Sequence, residues 1–150
     1  TFLGAVLAAT GRIGEGVKMI EYSRSEFRKS GRRVFYGMSE FILGDIYRQM
    51  VQRTEPTTLS VLLKNSGFLV KNYFLAARKA ETHLVKAIGI LKETGAKGFL
   101  GPAYYRLGLF YRFKGRTDEA RACLSAAIDL FEQCEATVPL QEARDTLATL

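Results

Sequence analysis

The sequence predicts an all-α chain: an α-α superhelix, or solenoid, of stacked helix hairpins with an insertion in the middle unit and a C-terminal cap helix. Three observations predict it. A pattern returns along the chain: Leu107-Gly108-x-x-Tyr111, Gly115-Arg116 and Glu119-Ala120 reappear as Leu3-Gly4-x-x-Leu7, Gly11-Arg12 and Glu15-Gly16, displaced by 104 residues throughout. That displacement is about three periods of a ~34-residue helical repeat, and a further copy of the first half stands at Leu43-Gly44-x-x-Tyr47. Apolar residues also recur at three- and four-residue spacing, and only three prolines interrupt 150 residues. With 47% hydrophobic residues, one domain of this length buries a core once its units stack.

Each element follows from local signals. Residues 2–9 read as the tail of a first helix and 13–29 as its partner, separated by Gly11-Arg12. Gly31 breaks the chain before the next first helix at 32–52. An insertion occupies 54–73, opening on Thr54-Glu55-Pro56, and a long helix follows at 74–94 up to Thr94-Gly95. The next hairpin is 99–113 and 117–134, where Leu124, Ala127, Ile128 and Phe131 form one apolar stripe. A cap helix from Pro139 to Leu150 carries Leu140, Ala143, Leu147 and Leu150 at helical spacing, with charges between them. The repeat-like units are therefore 1–30, 32–95 and 99–135 within a single helical domain, 1–150. The opening copy begins in mid-helix, so the chain is expected to be a piece of a longer protein.

The recurring residues have physical roles. The Leu packs between the two helices of a hairpin, the Gly lets those helices approach, and the Tyr fills the next turn of the same face. Gly115 suits the left-handed position that ends a helix. Thr117-Asp118-Glu119 would open the second helix with a capping oxygen and with acids at the positive end of its dipole. Ala120, Gly16 in the first copy, is small at the closest crossing.

The insertion departs most from a plain repeat. Leu43 to Ala80 spans 37 residues where Leu107 to Ala120 spans 13, so 24 extra residues lie between two helices that otherwise turn tightly. Leu62, Phe68, Val70 and Tyr73 mark its apolar side. Either it is a helical excursion that packs on the solenoid, or it is an exposed basic-apolar element that docks a partner, a sister chain or a membrane surface. Gly67 breaks it and only two lysines accompany it, which weighs against the membrane.

Charge is uneven. Residues 1–114 carry 19 basic and eight acidic side chains, a net of +11, and residues 115–150 a net of −4. Arg24, Arg28, Lys29, Arg32 and Arg33 are the densest basic stretch. They form either a solvated face with cations at a helix C-terminus or a patch for an acidic partner. Phe27 is the one aromatic residue among them and no nucleic-acid motif occurs, so nucleic acid is not expected as a partner. The charge asymmetry permits head-to-tail self-association.

Motifs for chemistry are absent. Gly11-Arg12-Ile13-Gly14-Glu15-Gly16 is spaced G-x-x-G-x-G, the reverse of a dinucleotide fingerprint, with no strand before it. It aligns with Gly115-Arg116 and reads as a turn. A single histidine, His83, gives little support to histidine-based catalysis or zinc binding and suits half-exposed packing. Cys123 and Cys134 lie on one predicted helix about 16 Å apart, too far for a disulfide. Unpaired cysteines suit a reducing cytoplasm. No run of ~18 apolar residues predicts a membrane span. No cofactor, metal or catalytic residue is expected.

The residues of 102–134, and in looser form 2–29 and 32–95, resemble the tetratricopeptide repeat family, with Tyr104 at its Trp position and Leu124 at its Phe position. Glu132 stands where the family places Pro. The resemblance implies a groove that binds peptides. Its floor would include Met38, Phe41, Asp45, Arg48 and Gln49 from the middle unit and Tyr105, Leu109, Arg112 and Phe113 from the last. Members that grip carboxylates use Lys and Asn where this chain has Phe41 and Asp45, then Tyr105 and Leu109. An apolar segment, or a piece of the protein itself, is the expected occupant.

Ser39-Glu40 through Leu43-Gly44 and Tyr47, Leu59-Ser60 with Lys64-Asn65 and Gly67 to Asn72, Gly95 to Gly98, and Gly115 to Cys134 are together similar to the C-terminal repeat regions of bacterial adenylate/guanylate cyclase-type signalling proteins. That resemblance implies a non-catalytic regulatory scaffold that binds a protein: a peptide segment, its own upstream domains or a sister chain, a homodimer included. The alternative is the sensor tail of an ATP-dependent transcription regulator, where such helices bind a small inducer.

Overall fold

The computed structural model describes residues 1–52 and 59–150, apart from the side chains of residues 59–62, 64 and 73. The described residues are helical and contain no strand. The helices are α1 (Phe2–Ala9), α2 (Ile13–Lys29), α3 (Arg33–Gln52), α4 (Leu59–Asn72), α5 (Ala76–Glu93), α6 (Lys97–Phe113), α7 (Thr117–Gln133) and α8 (Thr137–Ala148), with a short 3-10 turn at Tyr73–Leu75 between α4 and α5. α1 pairs with α2, α3 with α5 and α6 with α7, and each pair packs on the next through α2 against α3, α5 against α6 and α7 against α8. This is the expected solenoid of hairpins, with α4 as the insertion and α8 as the cap.

Five of the junctions are built alike. Gly11, Gly31, Gly95, Gly115 and Glu135 all take positive φ. The next residue's amide then donates to the carbonyl five positions back: Arg12 to Leu7, Arg32 to Phe27, Ala96 to Leu91, Arg116 to Tyr111 and Ala136 to Phe131, at 2.8–3.0 Å. That bond satisfies a carbonyl the helix end would leave bare, and it reverses the chain in three residues. The sequence signal for a capping oxygen at Thr117 is not realised: Arg116 is the N-cap of α7 and no side chain caps it. Asp118 and Glu119 do lie in the first turn, as the dipole favours. Gly11 to Gly16 is a turn followed by the start of α2.

Within each hairpin the helices cross closely. A Cβ on Gly44 would stand 2.7 Å from Cγ of Leu84, and one on Gly108 would stand 2.9 Å from Cγ of Leu124. Gly4 and Gly16 face each other in the first hairpin, where a Cβ on Gly16 would stand 2.4 Å from the Gly4 carbonyl oxygen. Leu43, Leu84, Leu107, Leu124, Ala80 and Ala120 are buried around these crossings.

One carboxylate joins three helices. Glu40 of α3 is fully buried. Its Oε1 meets Nζ of Lys86 at 2.8 Å and Nη1 of Arg24 at 3.5 Å. Its Oε2 lies 2.6 Å from Nδ1 of His83, which donates because a carboxylate can only accept. Arg24 belongs to α2, and His83 and Lys86 to α5. The His83 ring stacks on Tyr47 at 5.8 Å and 7°. Burial alone would raise the Glu40 pKa, but the hydrogen bonds from His83 and Lys86 and the charge of Arg24 outweigh it and hold the group at about 2.

The insertion folds back onto the first hairpin. Asn65 of α4 donates from Nδ2 to the Gly11 carbonyl at 2.7 Å and accepts from the Gly14 amide at 3.1 Å. Phe68 rests on Gly14 and stacks against Tyr47 with ring centroids 6.4 Å apart. Helix α5 starts at Ala76 rather than 74 because the 3-10 turn takes up the change of direction. The cap helix starts at Thr137, two residues before Pro139, which fits in a first turn that has no partner for its amide.

Two glycine changes should have opposite signs. Gly44→Ala should destabilise by about 1–3 kcal/mol, because Leu84 must move. Glu135→Gly should stabilise by about 1 kcal/mol by relieving a side chain at positive φ. Urea midpoints at constant m-value read both. Glu40 sets a pH dependence. Its folded pKa is depressed, so its contribution is complete above the ordinary carboxylate pKa of 4.5 and is lost as pH falls towards 2. The stability gap between wild type and Glu40→Gln should therefore narrow by about 2–3 kcal/mol between pH 6 and pH 2.5. A gap independent of pH would remove Glu40 as the cause.

Candidate functional site

The first helices of successive hairpins, α3 and α6, lie side by side. With α8 they form one face, and this face carries most of the groove residues expected from the sequence. Asp45 of α3 is its hub. Arg48 donates from Nε to Asp45 Oδ1 at 2.7 Å, and Gln49 donates from Nε2 to Oδ2 at 2.8 Å. Arg106 of α6 approaches the same Oδ1 at 3.6 Å. Arg48 also donates to Gln52, whose Nε2 donates to the Leu109 carbonyl at 3.0 Å. The spacing of 45, 48, 49 and 52 on one helix makes this network possible, since side chains three and four residues apart meet.

The α6 half of the face is tied to the cap. Tyr105 packs edge-on to Phe131 at 6.4 Å, and its hydroxyl lies 3.5 Å from that of Thr146. Arg112 donates from Nη1 to the Thr149 hydroxyl at 3.2 Å. The Arg106 guanidinium sits over the Tyr105 ring, 5.5 Å from its centroid. Phe113, at the end of α6, is 53% exposed. Phe41 and Leu109 are half-buried, and Phe41 packs against the central core.

Met38 is a correction. It is 4% exposed and belongs to the interior, not to an open floor. Its spacing from Phe41 and Asp45 places it on their stripe but does not show where that stripe passes beneath neighbouring helices. Arg48 is 8% exposed and committed to Asp45 and Gln52. The open charge of the face is thus carried by Arg106 and Arg112, with aromatic edges from Tyr105 and Phe113. Arg106 was not among the expected residues. The signal was available, since it lies one residue after Tyr105, but only the pairing of α3 with α6 shows it facing Asp45.

The insertion divides its residues between two sides. Phe68 is packed inward, whereas Val70 is 75% exposed. The side chains of Leu62 and Tyr73 lie outside the described residues. The basic stretch is also divided: Arg24 serves Glu40, Lys29 pairs with Glu26 at 3.0 Å, and Arg33 pairs with Glu93 of α5. Arg28 and Arg32 are exposed.

Among the described residues, no group of three or more His, Cys, Asp or Glu could hold a metal ion, and no helix is long and apolar enough to cross a membrane. Both cysteines are free thiols, Cys123 buried and Cys134 exposed, and burial pushes the Cys123 thiol up to about 11.

A face built from the first helices of stacked hairpins is the architecture of an α-solenoid repeat. Residues 101–134 match the family model of the tetratricopeptide repeat, so the chain carries a tetratricopeptide repeat there. The match covers α6 and α7, the hairpin that contributes Tyr105, Arg106, Leu109, Arg112 and Phe113. No curated protein and no solved structure matches the chain.

Asp45→Ala should cost about 1–3 kcal/mol, because Arg48 is left nearly buried without its carboxylate. Gln49→Ala, at an exposed position, should stay within about 0.5 kcal/mol. Equal costs in urea unfolding would show that Asp45 is not the hub.

Proposed function

We propose that this chain is a non-catalytic protein-interaction scaffold whose α3–α6–α8 face binds an extended protein segment. The observation that carries the reading is the convergence of Asp45, Arg106, Tyr105, Arg112 and Phe113, from two hairpins, on one side of the stack. Aromatic edges between two arginines suit a segment with apolar side chains and a carboxylate, which a guanidinium can grip through two parallel hydrogen bonds. The tetratricopeptide match in α6 and α7 supports the same class of function.

The likeness of residues 39–47, 59–72, 95–98 and 115–134 to the tails of class III cyclase-type proteins supports a finer reading. The scaffold belongs to a cytoplasmic bacterial signalling protein and regulates its upstream domains, without binding nucleic acid. The outward Leu63 and Val70 of α4 lie on one helical face, seven residues apart, and support pairing of two copies through the insertion.

The test places a photo-crosslinking amino acid at Phe113, and in a second protein at Lys97, within the full-length parent in its own cells. Crosslinks to a defined protein segment from 113 but not from 97, reduced at least about tenfold by Arg112→Glu, are expected. Equal crosslinking from both positions, or none from 113, would overturn the reading. Light scattering on Val70→Asp tests the pairing: a wild-type dimer should become a folded monomer.

A further inference from the structure

A concavity lies between α2, α4 and the start of α5. It is a cleft of about 800 Å³, within the range of small-molecule sites. Its apolar wall is Val17, Tyr47 and Phe68. Val17 and Tyr47 are buried, and the Phe68 ring stands nearly parallel to that of Tyr47, at 23°. Gly67 lines it as well, and nothing lies within 4 Å of where its Cβ would be, so this part of the wall is open.

The charges are unbalanced. Arg12, Lys18, Lys71 and Lys79 line the cleft against Glu15 and Glu21. Arg12 is already committed to Glu15, through bonds of 3.0 and 2.5 Å. Lys79 is held by neutral groups: its Nζ donates to Asn72 Oδ1 at 2.6 Å and to the Tyr47 hydroxyl at 3.4 Å, and lies 4.9 Å from the Tyr47 ring centroid. Asn72 is itself buried and fixed by its Nδ2, which donates to the Phe68 carbonyl at 2.8 Å. Tyr47 does not ionise to help, since burial and the nearby Glu21 push it up to about 12. Among the described residues, Lys18, Lys71 and Lys79 have no carboxylate within 4 Å. Among the described residues that line the cleft, three ammonium groups thus face Glu21 as the one carboxylate without an ion-pair partner. A concave wall concentrates such a field on an incoming anion.

We propose that this cleft binds a small organic anion, with an apolar part against the half-buried Phe68 ring and a carboxylate or phosphate between Lys79, Lys18 and Lys71. The ligand bridges α2, α4 and the start of α5. It therefore fastens the insertion to the first hairpin and stabilises the folded protein by mass action. The site shares no residue with the α3–α6–α8 face, and its failure would leave the interaction reading intact.

The probes are 1-naphthoate and 1-naphthyl phosphate, titrated into isotope-labelled protein and followed by amide chemical shifts. Saturable shifts at Gly14, Gly67, Lys71 and Lys79 are expected, with Kd below about 1 mM for at least one probe. The tighter of the two identifies carboxylate or phosphate as the preferred anion. The double variant Lys18→Gln with Lys71→Gln alters only exposed side chains, so it should fold as wild type and bind at least about tenfold more weakly. Lys79→Gln should weaken binding as much or more. Absence of saturable shifts with both probes, shifts centred outside the cleft, or unchanged affinity in the double variant would each overturn the proposal. The double variant decides the matter if Lys79→Gln does not fold.

Discussion

Five times among the described residues, the amide after a left-handed residue donates to a carbonyl five positions earlier, and the stack of hairpins depends on that bond. Each helix ends two residues before the left-handed position and the next one starts two residues after it. Helices α2, α6 and α7 are consequently all 17 residues long, and each completes a step of 20 with its three-residue turn. Equal steps keep the layers in register, so Gly108 finds Leu124 as Gly44 finds Leu84. The junction after α3 is the exception. There α3 runs on to 20 residues and the insertion follows. Helix α5 nevertheless meets α3 at the standard crossing, so the extra chain lies outside the stack and can cover the neighbouring turn at Gly11.

Between hairpins, charge does what close crossing does within them. Glu40 gathers Arg24 from the preceding hairpin and His83 and Lys86 from its own partner helix. Arg116 acts similarly one hairpin on. It pairs with Glu119 beside it and with Glu81 of α5 at 2.7 Å, and it lies 4.2 Å from the Tyr111 ring centroid. Its pKa is raised chiefly by the hydrogen bonds to Glu119 and Glu81. The two links differ in kind. Arg116 is at the surface, where an ion pair contributes little and salt screens it. Glu40 is sealed from water, and losing its partners would leave a buried charge.

Much of the architecture was legible because it is local. A Leu-Gly-x-x-Tyr pattern and a Gly in a turn act within a few residues, and their repetition fixes the helix order. The boundaries of α4 and α5 were less legible because a 3-10 turn has no distinct composition. The expected Thr117 cap was a plausible local signal overruled by another: once the left-handed turn sets Arg116 as the N-cap, Thr117 is already inside the helix. Glu40 was out of reach for a different reason. Its partners lie 16 to 46 residues away along the chain, and nothing at Glu40 itself distinguishes it from a solvated acid. Met38 failed for the converse reason, since a stripe on one helix does not reveal how far its neighbours overlap it. The cleft lysines were equally hidden, because Lys18, Lys71 and Lys79 line one cleft only after α4 has folded back.

Helix α3 contributes to both the cleft and the α3–α6–α8 face. Tyr47 belongs to the cleft wall, while Arg48, the next residue, belongs to the Asp45 network, and Gln52 at the helix end reaches the Leu109 carbonyl. Successive residues on a helix point about 100° apart, so neighbours can serve different faces of one rigid rod. A group bound beside Tyr47 can affect the α3–α6 face by shifting the rod. The contact most sensitive to such a shift is the single hydrogen bond from Gln52 to α6, because the Asp45 bonds to Arg48 and Gln49 travel with α3 itself. A second route runs through α5, which carries Lys79 at the cleft and packs directly on α6.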